Sequence, residues 1–178
     1  ILAGGGVILS NASVELVKFA TLTNIPIATT LMGKGSISED HELSLGMIGM
    51  HGIESTNIAL TECDCLIAIG CRFSDRSVSN ITDYAPNATK IQIDVDPAEI
   101  GKTIPIDVPI VGDAKITLNE FIKKVQISNR PTWTKHLMQI KKEKEPKINY
   151  DTVPLKPQET IKEIMEAVTP TTIVSTDV

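Results

Sequence analysis

The sequence predicts an α/β domain built on a parallel six-stranded sheet with helices on both faces. Apolar, β-rich runs alternate with amphipathic segments along residues 1–127, which is typical of parallel sheets. One run, residues 65–69, is apolar throughout and is followed by Gly70, as expected for a strand buried on both faces. A chain of 178 residues is long enough for one such domain with a real core and short for two.

The strands are predicted from apolar runs that end at glycine, proline or aspartate. They cover residues 1–3, 25–30, 65–69, 90–95, 108–111 and 172–176. The long connection from Met32 to Gly52 is too polar, and too often interrupted by glycine, to form one element.

The helices are predicted from apolar residues that recur every three or four positions. They cover 13–23, 53–62, a short stretch after Pro97, the segment after Asp113, the segment after Pro131 and the segment after Pro157. Ser10 or Asn11 can cap the first of them, Asn24 ends it, and Asp113 can cap the fourth.

Three segments are predicted along the chain. Residues 1–127 form the α/β domain, and residues 128–156 form a charged helix followed by a proline-rich linker over 146–157. Residues 157–178 form a helix and a strand that begin a second domain. The chain starts without methionine and stops after a β-rich run, so we expect it to be a piece of a longer protein.

Composition excludes several classes of function. The formal net charge is −5 and no basic cluster is present, which argues against nucleic-acid binding. No apolar stretch approaches the roughly 20 residues that span a bilayer. The three cysteines are an odd number with no ligand box of histidines around them, so buried thiols in a reducing, cytoplasmic compartment are expected rather than a zinc site.

Polar or glycine residues follow five consecutive strands. Because ligands bind outside the carboxyl ends of parallel strands, these residues predict a rim suited to a long ligand with phosphates, ribose and a flat ring. Taken alone, each feature also has a structural explanation. The Gly4–Gly6 triplet could cradle a phosphate or form a tight turn, Asp94 could bind a ribose or cap a helix, and Arg72 and Arg76 could clamp phosphates or pair with Asp75 or Asp83.

The segment Gly46-Met47-Ile48-Gly49-Met50-His51-Gly52 is the most unusual in the chain. Its methionines offer a soft surface to a planar ring, and its histidine lies close to a predicted helix start, where it can hydrogen-bond. It could also be a plain loop with Met50 in the core. No catalytic triad, carboxylate pair or metal cluster emerges, so no catalytic or metal-binding residue is predicted.

Five segments in chain order resemble a known family: residues 3–6, 29–35, 46–52, 70–76 and 93–97. They resemble the thiamine-diphosphate enzymes, and among these the middle domain of acetolactate synthase large, catalytic subunits. The segments 46–52 and 70–76 are specific, whereas the glycine triplet and Asp94-Val95-Asp96-Pro97 occur in many thiamine enzymes. Residues 173–178 resemble the first strand of that family's diphosphate-binding domain.

The resemblance implies that the middle domain binds FAD in an extended form across its strand ends. The implied cofactor-binding residues are Gly4, Gly5, Gly6, Thr30, Leu31, Met50, His51, Gly52, Gly70, Cys71, Arg72, Ser74, Arg76, Asp94, Val95, Asp113 and Ala114. In the family, aspartate often stands at the position of Ser74 and alanine at that of Cys71.

The same resemblance implies an order along the cofactor. The glycine triplet would face the phosphate and ribitol region. Thr30, Leu31, Met50 and His51 would lie along the flavin, while Asp94 and Val95 would hold the adenosine end and Asp113 and Ala114 would lie near the adenine. Met50, Asp75 and Arg76 would also border the channel to the thiamine site.

For the whole enzyme the resemblance implies condensation of two pyruvates, or of pyruvate with 2-oxobutanoate, with loss of CO2, in branched-chain amino-acid synthesis. Thiamine diphosphate and Mg²⁺ would be bound by residues outside this chain, so we expect this chain alone to be inactive. Subunits would form a dimer or higher homo-oligomer, and a small regulatory subunit could bind.

Three other functions remain open at this point. The chain could come from another thiamine enzyme, such as a pyruvate oxidase, a glyoxylate carboligase or a sulfoacetaldehyde acetyltransferase. It could be an NAD(P)-binding module, or a middle domain that has lost its cofactor.

Overall fold

The computed structural model describes residues 1–78, 81, 84–144, 153–169 and 171–175. The chain divides into two compact units, Ile1–Lys144 and Glu145–Val178. The first unit holds the sheet. The predicted linker falls mostly outside the described residues, and the predicted segments 1–127, 128–156 and 157–178 stay a prediction.

Six parallel strands form one sheet in the first unit, as predicted. In chain order they are β1 Leu2–Ala3, β2 Ile27–Thr29, β3 Ser44–Met47, β4 Cys65–Ile69, β5 Thr89–Asp94 and β6 Val108–Val111. Their order across the sheet is β3-β2-β1-β4-β5-β6, so the chain starts in the middle and winds outward in both directions. The short strand β1 pairs on both sides, with Leu2 opposite Ala28 and Ala68.

The strand β3 lies within the connection from Met32 to Gly52, where the sequence analysis placed no strand. Ser44–Met47 pairs with β2, and a shift in register lies between Ile27 and Ala28. Gly46 has a φ of +90°, a conformation that L side chains rarely adopt. Although Ser44, Leu45 and Gly46 are all buried, serine and glycine break the apolar run by which the other strands were predicted.

The helices of the first unit cover both faces of the sheet. They are α1 Gly5–Leu9, α2 Ser13–Thr23, α3 Glu54–Glu62, α4 Ala114–Lys124 and α5 Pro131–Glu143. The second unit contains α6 Pro157–Ala167. Residues of β4 alternate between two apolar clusters, with Leu66 and Ala68 in one and Ile67 and Ile69 in the other. The predicted burial of this strand on both faces is therefore confirmed.

The ends of α2 confirm one prediction and correct another. Asn24 ends the helix in the left-handed conformation at a φ of +50°, as predicted. The predicted caps Ser10 and Asn11 do not cap it, because Ala12 occupies the N-cap position without a side-chain hydrogen bond. Ser10 instead ends the unpredicted helix α1, and Asn11, at a φ of +53°, turns the chain between the two helices.

Two other expected elements are absent from the described residues. The segment after Pro97 is a turn rather than a helix, because Asp96 folds back to accept the N–H of Ala98. Residues 172–175 are not a strand, and Thr176 lies outside the described part. Within the second unit no described strand offers the partner that a β ladder needs.

The helix α5 packs against α3 within the first unit. Leu137 is buried in the cluster beneath α3, and His136 lies 2.6 Å from Glu62 and Lys144 2.6 Å from Glu54. Both ion pairs are largely exposed, so each contributes little to stability. Burial of the apolar face therefore holds this helix in place.

Backbone approaches backbone where β1 leads into α1. A Cβ on Gly6 would lie 2.6 Å from the Cα of Gly70, a distance that real Cβ atoms do not show. A Cβ on the neighbouring Gly5 would meet the Cβ of Met32 at 3.1 Å, a contact that is relieved if the exposed residue Met32 moves by a few tenths of an ångström. The two glycines thus provide a matched pair for substitution.

We expect Gly6→Ala to lower the free energy of unfolding by about 2–3 kcal/mol, because two backbone segments must separate. Gly5→Ala should change it by less than about 1 kcal/mol. Urea titration of both variants checks the difference. A loss for Gly5→Ala as large as that for Gly6→Ala would contradict the packing described.

Candidate functional site

All six strands point the same way, so their carboxyl ends form a single edge. The predicted site residues follow these ends, in an order from the loop after β3 to the cap of α4 after β6. Five gaps between strands, each about 4.8 Å, make this row about 24 Å long. A ligand that reaches all of it must be long and extended.

The glycine triplet lies at the middle of the row. The N–H of Gly4 donates to the carbonyl of Ile69 at 2.9 Å, and the N–H of Gly6 donates to the carbonyl of Gly70 at 3.0 Å. Gly70 has a φ of +57° and is itself pressed against Gly6. The tight-turn interpretation therefore accounts for Gly4 and Gly6, whereas Gly5 faces the side chain of Met32 rather than the backbone of Gly70.

The segment after β2 presents apolar side chains outward. Thr30 is buried and its Oγ1 accepts the N–H of Gly33 at 3.2 Å, which caps a single 3₁₀ turn over Leu31–Gly33. Leu31 and Met32 are 69% and 73% exposed. Exposure of two large apolar residues next to each other at the rim favours contact with a flat, apolar group.

The methionine loop, defined as residues 48–52, follows β3. Met50 is 58% exposed rather than in the core, and His51 is exposed beside it. Gly52 is half-buried, with no room for a Cβ against the backbone of Ile48. The structure thus places Met50 and His51 at the rim.

The arginine loop, defined as residues 70–78, follows β4. Phe73 has a φ of +52° and a fully buried ring that meets Tyr84 edge-on at 5.8 Å. This anchor leaves Arg72 and Ser74 exposed on either side of it. Burial raises the pKa of Cys71 to about 11, so its thiol stays protonated at neutral pH.

The two arginines differ in their partners. Arg76 is exposed, and its Nε lies 4.0 Å from Asp75, a pairing too exposed and too long to contribute much. Arg72 makes no ion pair with any residue that the structure describes, and Asp83 lies outside the described residues. Both guanidinium groups are therefore available to an anion at the rim.

Asp94 ends β5 with its side chain largely buried. Its Oδ1 accepts the N–H of Asp96 at 3.0 Å, while Oδ2 has no hydrogen bond within the described ranges. Val95, the next residue in the chain, and Val111, opposite Asp94 at the end of β6, are 73% and 59% exposed. A carboxylate with one unpaired oxygen, beside two exposed valines, suits a ribose with a flat base.

Asp113 closes the row. Its Oδ1 accepts the N–H of Ile116 at 3.0 Å, so the predicted helix cap is confirmed. Ala114 is buried beneath it. A side chain that caps a helix is fixed in place, which makes this end of the rim rigid.

Sequence reasoning missed two amide side chains that fix the backbone of the rim by hydrogen bonds. The first is Gln92, which is fully buried in β5. Its Nε2 donates to the carbonyls of Cys71 and Glu99 at 3.1 and 3.2 Å, and its Oε1 accepts the N–H of Gly101 at 3.0 Å. A glutamine between two isoleucines in a predicted strand is the signal that could have found it, because buried polar groups are paired. The second is Asn57, in α3.

Comparison with known proteins decides the family. A profile described as "thiamine pyrophosphate enzyme, central domain" matches residues 1–121. The chain belongs to this family. The resemblance stated from the sequence is thereby confirmed.

Relatives of this central domain carry one name. The chain is 50% identical to a "Probable acetolactate synthase large subunit" of Methanocaldococcus jannaschii, over 100% of this chain and 32% of that protein. It is 49% identical to the protein of that name from Methanococcus aeolicus, over 100% and 33%. It is 41% identical to an "Acetolactate synthase large subunit" of Buchnera aphidicola, over 100% and 32%. The chain thus spans about a third of the length of these curated relatives.

The described residues were also searched for membrane-spanning helices and for groups of metal ligands. None of the helices that could be examined is both long and apolar enough to pass through a membrane. In the described part of the chain, no three histidine, cysteine, aspartate or glutamate side chains are grouped so that they could hold a metal ion.

We expect Gln92→Leu to lower the free energy of unfolding by about 3 kcal/mol or more, because it leaves two carbonyls and one N–H unpaired in the interior. The control is Gln139→Leu, since Gln139 lies on α5 and pairs only with Glu143 of the same helix. Thermal or urea unfolding compares the two. Equal stability of the variants would contradict the assigned role of Gln92.

Proposed function

We propose that this chain is the FAD-binding middle domain of an acetolactate synthase. The observation that carries the proposal is Asp94, whose Oδ2 has no hydrogen bond within the described residues. Its neighbours Val95 and Val111 are exposed, and the same rim carries Arg72 and Arg76. A carboxylate for the ribose, the guanidinium of Arg72 for the diphosphate and exposed apolar residues for the ring follow one another along the sheet, as the three parts of a flavin dinucleotide do. The name shared by the relatives supports the same reading.

The residues fit FAD when it lies extended across the row. Asp94 would accept hydrogen bonds from the adenosine ribose, with Val95 against the base and Asp113 and Ala114 near the adenine. Gly5, flanked by Gly4 and Gly6, would let the diphosphate approach the backbone. This ordering accounts for the length of the rim as well as its chemistry.

The remaining predicted contacts lie at the flavin half. Thr30, Leu31, Met50, His51 and Gly52 would line the ring system. The arginine loop would close the groove through its predicted members Gly70, Cys71, Arg72, Ser74 and Arg76. Cys71 would act only through its backbone, because its side chain is buried.

The activity proposed for the whole enzyme needs residues beyond this chain. One pyruvate is decarboxylated and its two-carbon unit is joined to a second pyruvate or to 2-oxobutanoate, chemistry for which thiamine diphosphate, held with Mg²⁺, supplies the electron sink. This chain would hold and orient FAD, which is not consumed in that reaction, and would border the route to the thiamine site through Met50, Asp75 and Arg76. Alone it is expected to be inactive.

The proposal extends to the setting of the enzyme. Its substrates would be small 2-oxo acids in the cytoplasm, and its subunits would form a dimer or higher homo-oligomer that a small regulatory subunit can join. Residues 157–178 would begin the domain that binds thiamine diphosphate. None of this requires nucleic acid or a membrane.

Calorimetric titration of the chain with FAD tests the proposal, with NAD and FMN as competing ligands. We expect saturable FAD binding that Asp94→Asn weakens roughly 10- to 100-fold, because hydrogen bonds to a charged acceptor are stronger than those to a neutral one. The control is Asp107→Asn: Asp107 also binds a backbone N–H, that of Lys90 at 2.8 Å, but lies before β6 at the opposite edge of the sheet.

Three results would contradict the proposed function. The first is the absence of saturable FAD binding by the unchanged chain. The second is tighter binding of NAD than of FAD, which favours a nicotinamide dinucleotide module. The third is equal affinity of the Asp94→Asn and Asp107→Asn variants for FAD.

A further inference from the structure

A single amide side chain satisfies both backbone groups of Gly49. The N–H of Gly49 donates to Oδ1 of Asn57 at 2.9 Å, and Nδ2 of Asn57 donates to the carbonyl of Gly49 at 3.1 Å. Asn57 lies in the first half of α3 and is half-buried. Among short side chains only asparagine carries a donor and an acceptor placed to pair with one residue in this way.

The clamped glycine lies where two loops cross. Gly49 has a φ of +102°, and a Cβ there would collide with the carbonyl oxygen of Arg76. The next residue, Met50, donates its N–H to that same oxygen at 3.1 Å. The position of Gly49 therefore decides where the backbone of Arg76 can lie.

We propose that Asn57 is a positioning residue for the flavin half of the rim. Its carboxamide fixes the methionine loop and, through the bond between Met50 and Arg76, the end of the arginine loop. Met50 and Arg76 are both exposed and both depend on this clamp for their placement. The identity of the ligand rests on the proposed function, whereas the clamp itself does not.

Distance along the sheet separates this role from a general effect on stability. The methionine loop follows β3 and Asp94 ends β5, which lies four strands away in the sheet order, about 19 Å. Loosening the clamp should therefore affect contacts with the flavin half and leave those with the adenosine half unchanged. ADP, which contains only the adenosine half and the diphosphate, separates the two.

The test uses the 178-residue chain with Asn57→Ala and Asn57→Asp. The second variant keeps the shape and the acceptor and replaces only the donor, with an oxygen that faces the carbonyl of Gly49. The control is Asn119→Ala, because Asn119 is an exposed asparagine on α4 whose Nδ2 donates only to Lys115 of its own helix.

Two measurements are made on each variant. Calorimetry gives the affinities for FAD and for ADP, and amide hydrogen exchange gives the protection of Gly49 and Met50. We expect both Asn57 variants to bind FAD about tenfold more weakly, to bind ADP within about twofold of the unchanged chain, and to exchange these two amides at least about tenfold faster. Asn119→Ala should change none of them.

Equal weakening of FAD and ADP would overturn the proposal, since it indicates a general loss of structure. Unchanged FAD affinity with faster exchange would overturn it as well, because the loops then do not contact the ligand. If the unchanged chain binds neither ligand, the proposed function fails. Amide exchange alone then tests whether Asn57 holds Gly49 in place, and unchanged protection of Gly49 in both variants would refute that role.

Discussion

The close approach of two backbone segments, Gly4 to Gly6 on one side and Gly70 on the other, is the constraint on which the carboxyl edge of the sheet depends. It brings the start of α1 against the end of β4. The N–H groups of Gly4 and Gly6 donate there to backbone carbonyls at the end of β4. Any side chain at either position would separate the two central strands at their ends. The neighbouring loops therefore start from a fixed point.

Two amide side chains fix the loops on either side of this central contact. Gln92 ties the backbone of Cys71 to the turn after β5, and Asn57 ties the methionine loop to α3. The charged and apolar groups of the rim, such as Arg72 and Met50, are left exposed on backbone that is held by buried contacts. A rigid support beneath exposed side chains is the arrangement expected of a binding site that is formed before its ligand arrives.

Sequence reasoning predicted what depends on local pattern and missed what depends on contact between distant segments. The apolar run of β4, the cap Asp113 and the end of α2 at Asn24 were all readable because neighbours in sequence decide them. The strand β3 was missed because Gly46 breaks the apolar run that predicts a strand. Its extended conformation depends on pairing with β2, which the local sequence does not show. Asn57 could not be found at all, since nothing in the sequence links it to Gly49 eight residues earlier.

The most direct test of the account is a map of the amides that respond to FAD, measured by two-dimensional ¹H–¹⁵N NMR on the full chain. The account predicts saturable shifts confined to the carboxyl edge, with Gly5, Met50, Arg72 and Val95 among them and with Asp107 at the opposite edge unchanged. Saturable shifts centred on the amino edge or on the outer face of α5 would contradict it, as would a spectrum that FAD leaves unaltered.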